Sequence, residues 1–232
     1  MALKRTTTDT STNCLKIVVY GKAGSRKTSL IPTAEAPVII SSEKGLLPLR
    51  GLGIPVFEVE SMAELDEALA HVTKSKEASQ WKTICIDSIS DMGTQFRLSE
   101  LKNPKHLSKD KKEIDKWSVF NAIGDGLTQS LRDLRDVKDK NVYIIAQEDR
   151  EKDDNGRLLY QPSFPGKAIY QELPYLFDGV FNIRQYNVGT ADAFYGLQTT
   201  SCNAYFAKDR SGKLDELEEP NLQQLFNKML SG

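Results

Sequence analysis

Apolar residues recur along this chain in two rhythms, and the alternation between them predicts an architecture. Continuous apolar runs at 17–19 and 84–86 have the pattern of strands covered on both faces, as in parallel sheets. Further strand signals fall at 15–20, 37–41, 55–59, 82–87 and 141–147. Helical spacing lies between them. Met62, Leu65, Leu69 and Val72 mark a helix over 61–74, with Ser61 as N-cap and Glu64 as its capping-box partner. Trp117, Phe120, Ile123, Leu127, Leu131 and Leu134 form one stripe of a second helix over about 114–136. Strands alternating with helices predict an α/β fold with a right-handed, mostly parallel sheet flanked by helices.

After Gln147 the rhythm changes. Asp153-Asp154-Asn155-Gly156 is a turn signal and predicts a hairpin over roughly 148–163. A short helix is expected within 166–177. Runs at 179–186, 192–199 and 203–208 read as antiparallel strands added toward the C-terminus, and 219–230 as a closing helix. Residues 1–13, polar and threonine-rich, read as a flexible arm, leaving 14–232 as a single domain.

Composition narrows the function classes. With 39% hydrophobic and 27% charged residues the chain has the make-up of a soluble globular protein. Its net charge of −1 gives no global attraction to nucleic acid, so any such site is a local patch. No apolar stretch reaches the ~18–20 residues of a membrane span, and no secretion signal precedes the first strand. Cys14, Cys85 and Cys202 are odd in number and widely spread, which suits a reducing cytoplasm rather than a disulfide framework or a zinc cluster. The lysine-dense segment 102–116 reads as a solvated loop ahead of a binding arm.

Candidate chemistry begins at the end of the first strand. Gly21-Lys22-Ala23-Gly24-Ser25-Arg26-Lys27-Thr28-Ser29 follows an apolar run and leads into Leu30-Ile31, a strand, a glycine-bearing turn and Lys-Thr opening a helix. In such a P-loop the backbone N–H groups and the helix dipole converge on phosphate oxygens. The lysine adds a point charge, and the threonine hydroxyl can ligate Mg²⁺. Arg26 stands where the pattern G-x-x-x-x-G-K-[ST] has its second glycine, and its side chain either turns to solvent or contacts phosphate.

Four other strand ends carry polar groups. Asp87 closes 82–87 and is expected on a strand beside the P-loop strand, where an acid can hold Mg²⁺ together with Thr28. Glu43 follows 37–41 and can orient a water and take its proton, or can simply open a surface loop. Gln147 ends 141–147, where an amide can sense a γ-phosphate or merely finish a strand. Lys208 and Arg210 are two apart, so on a strand both project together while Asp209 turns away. Such a pair can clamp a phosphoryl group, or can form a solvated hairpin tip.

Together these pieces resemble the RecA-like ATPase superfamily over about residues 14–230. In that superfamily an acid-glutamate turn, which Ser42-Glu43-Lys44 resembles, supplies the catalytic glutamate. Asp87-Ser88 matches the strand ending in Asp-Ser, and Gln147 the glutamine that leads into DNA-contacting loops. Lys208-Asp209-Arg210-Ser211-Gly212 is similar to the Lys-x-Arg finger of DnaB-type helicases and to a RadA motif, which implies action on ATP held by a neighbouring subunit. Pro165-Gly166-Lys167, Phe177-Asp178-Gly179-Val180 and the chain length look most like a bacteriophage group that includes RecA-like single-strand-annealing recombinases.

The resemblance implies a RecA-like P-loop core that binds ATP and Mg²⁺ and forms homo-oligomers, ring or filament, with ATP at subunit interfaces. It implies a recombination protein on single-stranded DNA, promoting annealing or pairing in the host cytoplasm, with a single-strand-binding protein as a further partner. Arg150, Lys152, Arg157 and Lys167 are then the DNA contacts, with Tyr160 and Phe164 as stacking surfaces, although five acids interleave with those cations between 148 and 154. The alternatives are a hexameric helicase-like translocase and a nucleotide-gated scaffold with little turnover.

Overall fold

A computed structural model describes residues 14–43, 45–107, 113–152, 156–165, 172, 175–202 and 204–231. Five parallel-paired strands form the central sheet: β1 (Lys16–Gly21), β2 (Pro37–Ser41), β3 (Val56–Glu58), β4 (Thr83–Asp87) and the first half of β5 (Asn141–Lys152). Three helices fall between them, α1 (Met62–Lys74), α2 (Ile89–Glu100) and α3 (Lys116–Asp136). Then come β6 (Leu158–Pro162), β7 (Gly179–Tyr186), β8 (Phe194–Gln198), β9 (Lys208–Asp209), β10 (Leu217–Glu218) and α4 (Leu222–Leu230). The sheet runs β10-β8-β7-β1-β5-β4-β2-β3, with β6 paired to β5 and β9 to β7. β7 joins β1 in parallel, and β8, β10, β6 and β9 are antiparallel additions.

The continuous apolar strands feed two cores by alternation, because successive side chains point to opposite faces. Val18, Tyr20, Ile40, Ile84, Ile86 and Ile144 face α1, α2 and α3. Ile17, Val19, Ile39, Tyr143 and Ile145 face the other side, against Leu30, Ile31 and the α4 residues Leu222, Leu225 and Phe226. The sheet is thus a central layer with helices on both faces, the α/β class the alternation predicts.

Several expectations need correction. The Lys27-Thr28 end of the loop opens a six-residue 3-10 turn, Thr28–Thr33, rather than an α-helix; Pro32 inside it has no N–H to extend an α-helical ladder. β4 is not beside β1, because β5 lies between them. Ser61 Oγ accepts from Glu64 N at 3.3 Å, but the Glu64 carboxylate reaches back to Glu60 N instead of to the cap residue. α2 was not expected. Its interior Ser90, Gly93 and Thr94 weaken the helical signal, although Ser88 and Asp91 form a cap, with Ser88 Oγ accepting from Asp91 N.

The stripe on α3 is displaced: Val119, Ile123, Leu127, Leu131 and Leu134 are buried, while Trp117 is 71% and Phe120 38% exposed. The hairpin is present as β5 and β6, with 153–155 at its apex outside the described residues. The strand expected over 203–208 shrinks to Lys208–Asp209, and β10 was not foreseen. The short helix expected over 166–177 falls mostly outside the described residues.

Candidate active site

The C-terminal ends of β1, β2 and β4 converge with the Gln147 end of the parallel half of β5, because parallel neighbours in register come level there. Gly21 pairs with Gln147, and Ser41 with Asp87. A cavity of about 600 Å³ opens at that end, lined by the loop Gly21–Ser29 with Glu43, Asp87, Gln147, Glu148 and Arg150. The sequence-predicted cradle residues Gly21, Lys22, Ala23, Gly24, Ser25, Arg26, Lys27, Thr28 and Ser29 all border it.

Gly21 is fixed by sterics. A Cβ there would sit 2.4 Å from the Ile183 carbonyl oxygen of β7 and 2.7 Å from Ser25 Oγ. Arg26 is different. Its φ of 69° is left-handed, a conformation that favours glycine and costs other residues roughly 1 kcal/mol. The turn therefore keeps the shape of the motif's second glycine, and the Arg26 guanidinium lies 4.3 Å over the Tyr195 ring of β8. Sequence reasoning also missed Tyr143. Buried in β5, its hydroxyl donates to the Lys27 carbonyl at 2.9 Å and props the loop from below. A tyrosine in an apolar strand gives no sign of that role until the loop above it is known.

The charges at this end are held out of water. Lys27 Nζ donates to the carbonyls of Gly21 at 2.7 Å and Lys22 at 2.8 Å. Burial lowers its pKa, against the attraction of Asp87, Glu43 and Glu148. Asp87 is 2% exposed and accepts from Thr28 Oγ1 at 2.9 Å. Burial, aided by Glu43, pushes its carboxyl up from 3.8 to about 6, despite the Thr28 hydrogen bond and the nearby Lys27. A hydroxyl and a carboxylate at the foot of an amide loop are the oxygen donors a hard divalent cation takes, so Thr28 and Asp87 fit Mg²⁺.

Glu43 is tethered by the start of α2. Ser88 Oγ donates to Glu43 Oε1 at 2.5 Å, and the Ser41 hydroxyl links the Glu43 backbone to the Asp87 carbonyl. Ser42 Oγ donates to Asp91 Oδ2 at 2.8 Å. Ser90 Oγ accepts from Gln147 N at 2.9 Å and donates to the Ser163 carbonyl at 2.6 Å. The unforeseen helix α2 therefore holds the Glu43 loop, the end of the Gln147 strand and the base of the hairpin together. Glu43 and Gln147 also border a second cavity of about 880 Å³, lined on its other sides by Val59, Glu60 and the outer residues of α2.

Lys208 and Arg210 are not brought to this cavity. β9 pairs with Gly179 and Val180, at the opposite end of β7 from Gly21. Lys208 Nζ donates to the Phe177 carbonyl at 3.1 Å, and Arg210 pairs with Asp178 at 3.0 Å. Asp209 turns the other way, accepting from Ser211, Lys213 and Leu214 backbone N–H groups.

Of the expected DNA contacts, Arg150 lines the nucleotide-sized cavity, Lys152 and Arg157 are exposed on the hairpin, and Lys167 lies outside the described residues. Phe164 is not a stacking surface, since it is buried in the core, and half-buried Tyr160 is stacked on Tyr205 at 4.6 Å.

A strand-loop-Lys-Thr cradle, an acid and hydroxyl pair, and a mostly parallel sheet with helices on both faces define a P-loop NTPase. A family model described as an AAA domain matches residues 13–211. The chain belongs to that AAA domain family, a family of P-loop ATPases, and so is a nucleotide-binding protein with the ATPase class of fold. No curated protein matches it. Among solved structures it is similar to a prototypical ATPase from the type III secretion system of pathogenic bacteria, at 15% identity and a TM-score of 0.40. That match covers 76% of this chain and 54% of the other, so the chain spans about half the length of that ATPase. Among the described residues, no helix is long and apolar enough to cross a membrane.

Proposed function

We propose that this protein is an ATPase that assembles with copies of itself on single-stranded DNA and promotes annealing or pairing of strands, like the phage recombinases it resembles. One observation supports the self-assembly on which this reading depends: the groups suited to a triphosphate are split between the two ends of one sheet. The loop, Thr28, Asp87 and Glu43 lie at one end, and Lys208 with Arg210 at the other. A single chain does not bring them together, and a second copy that offered its Lys208 and Arg210 to this cavity would complete the site.

In this reading the loop amides and Lys27 grip the triphosphate, and Thr28 with Asp87 would hold Mg²⁺, which neutralises phosphate charge when bound. Glu43 positions the attacking water once it leaves Ser88, and accepts its proton. Arg210 and Lys208 reach the phosphates of the neighbour's nucleotide as charge develops. Gln147 is continuous with the hairpin through β5, so a shift at its amide moves the strand that carries Lys152.

Mixing subunits tests this. Arg210→Ala and Glu43→Ala proteins should each be inactive, and an equimolar mixture should recover about a quarter of wild-type ATPase, the fraction of interfaces pairing two intact halves. No recovery at any ratio sinks the shared site. Joining of complementary strands without unwinding of a forked duplex separates this protein from a translocase.

A further inference from the structure

The apolar stripe of α3 runs one turn further than the core that covers it. Trp117 and Phe120 stack on each other, centroids 5.9 Å apart and planes 21° apart, on the outer surface. Burial does not account for them. Tryptophan is a large apolar surface to leave in water, and two stacked rings at the mouth of a cleft form a platform for a third flat ring. Phe120 borders a cleft of about 200 Å³ between α2, α3 and the segment Ser163–Pro165. Gly93 lets that segment approach, since a Cβ there would meet Pro165 at 2.5 Å.

Two cations share this surface with the rings. Arg97 lies on the same cleft, exposed. Lys116, also exposed, stands one turn before Phe120 and so on its face. Two acids of this region have partners: Asp115 accepts from the backbone N–H groups of Trp117 and Ser118, and Glu100 is paired with Lys105 and His106. Stacked aromatics beside exposed cations match a strand that offers unpaired bases and a phosphate backbone.

We infer that Trp117 and Phe120, with Arg97 and Lys116, form a base-stacking platform for single-stranded DNA on α2 and α3, separate from the hairpin. The inference rests on the DNA reading above and assigns it a surface that the sequence reading placed elsewhere. The platform also touches the nucleotide end of the sheet. Ser90, at the back of the cleft, bonds the Gln147 amide on one side and the Ser163 carbonyl on the other.

Tryptophan emission reads the contact directly. Trp81 is buried and Trp117 exposed, so a Trp81→Phe protein reports from Trp117 alone. Oligothymidylate should quench that emission, whereas inorganic polyphosphate, which has charge but no bases, should not. Trp117→Ala, at an exposed position that leaves the core intact, should weaken oligothymidylate binding about tenfold or more. Arg97→Gln should lower the salt slope of binding by about one unit.

Unchanged affinity in Trp117→Ala, with wild-type binding intact, overturns the platform but leaves the DNA reading standing. Absence of wild-type binding to oligothymidylate at low salt, with ATP present, overturns both. If Trp117→Ala instead shrinks the assembly in sedimentation without altering DNA binding, the rings are a contact between copies and the platform is refuted.

Discussion

Asp87 gives the sharpest test of the site's physics. Its carboxyl is buried beside Glu43, and its pKa is pushed from 3.8 to about 6. Raising a pKa by one costs the charged form about 1.4 kcal/mol, so at about pH 8 the carboxylate costs the ligand-free protein on the order of 3 kcal/mol. The sign follows from proton binding. Between the two pKa values the folded state holds a proton the unfolded chain has lost, so stability falls as pH rises through that window.

Asp87→Asn removes the charge and keeps an oxygen that can accept from Thr28. It should therefore stabilise the ligand-free protein by about 2–3 kcal/mol at about pH 8, some 5–10 °C in Tm for a chain of this size. The gain should shrink as pH falls through 6 and all but vanish near 3.8. With Mg²⁺ and ATP the difference should close. Wild type gains RT ln(1 + [L]/Kd), about 2.7 kcal/mol at a hundredfold excess over Kd, and the variant gains little because it has lost the cation's carboxylate. Thermal unfolding of both proteins across that pH range, with and without Mg²⁺-ATP, measures each quantity. A variant no more stable than wild type at about pH 8, or a gain that does not change with pH, would refute the argument that burial strains this carboxylate.

Two further changes probe the loop. Arg26→Gly should leave the urea midpoint nearly unchanged, because relief of the left-handed φ, roughly 1 kcal/mol, offsets the lost contact with Tyr195, roughly 0.5–1 kcal/mol. A midpoint lowered by much more than that would mean Arg26 holds the loop by another contact. Tyr143→Phe strips the hydroxyl beneath Lys27 and should cost about 1–2 kcal/mol in denaturant unfolding, with weaker ATP binding by calorimetry. Unaltered ATP affinity would show that the prop is structural only.

The sequence by itself determined which strands are buried on both faces and which loop is the phosphate cradle. Both are local facts: apolar runs at 17–19 and 84–86, and a glycine-bearing turn ending in Lys27-Thr28. It also marked Asp87, Glu43 and Gln147, because polar residues that end apolar strands stand out in one dimension. It missed α2, whose interior mixes weak helix formers with a short apolar stripe, and so missed the serines that tether Glu43, Gln147 and the hairpin.

Only the tertiary structure decided the rest. Strand order put β5 between β1 and β4, a choice no single strand encodes, because pairing is settled by which faces the helices must cover. The same packing put Arg150 on the nucleotide-sized cavity and Lys208 and Arg210 at the far end of the sheet. It also left Trp117 and Phe120 outside a core their spacing said they should join. Periodicity gives a helix its apolar face; how far along that face the neighbouring layer reaches is set by the length and placement of other elements.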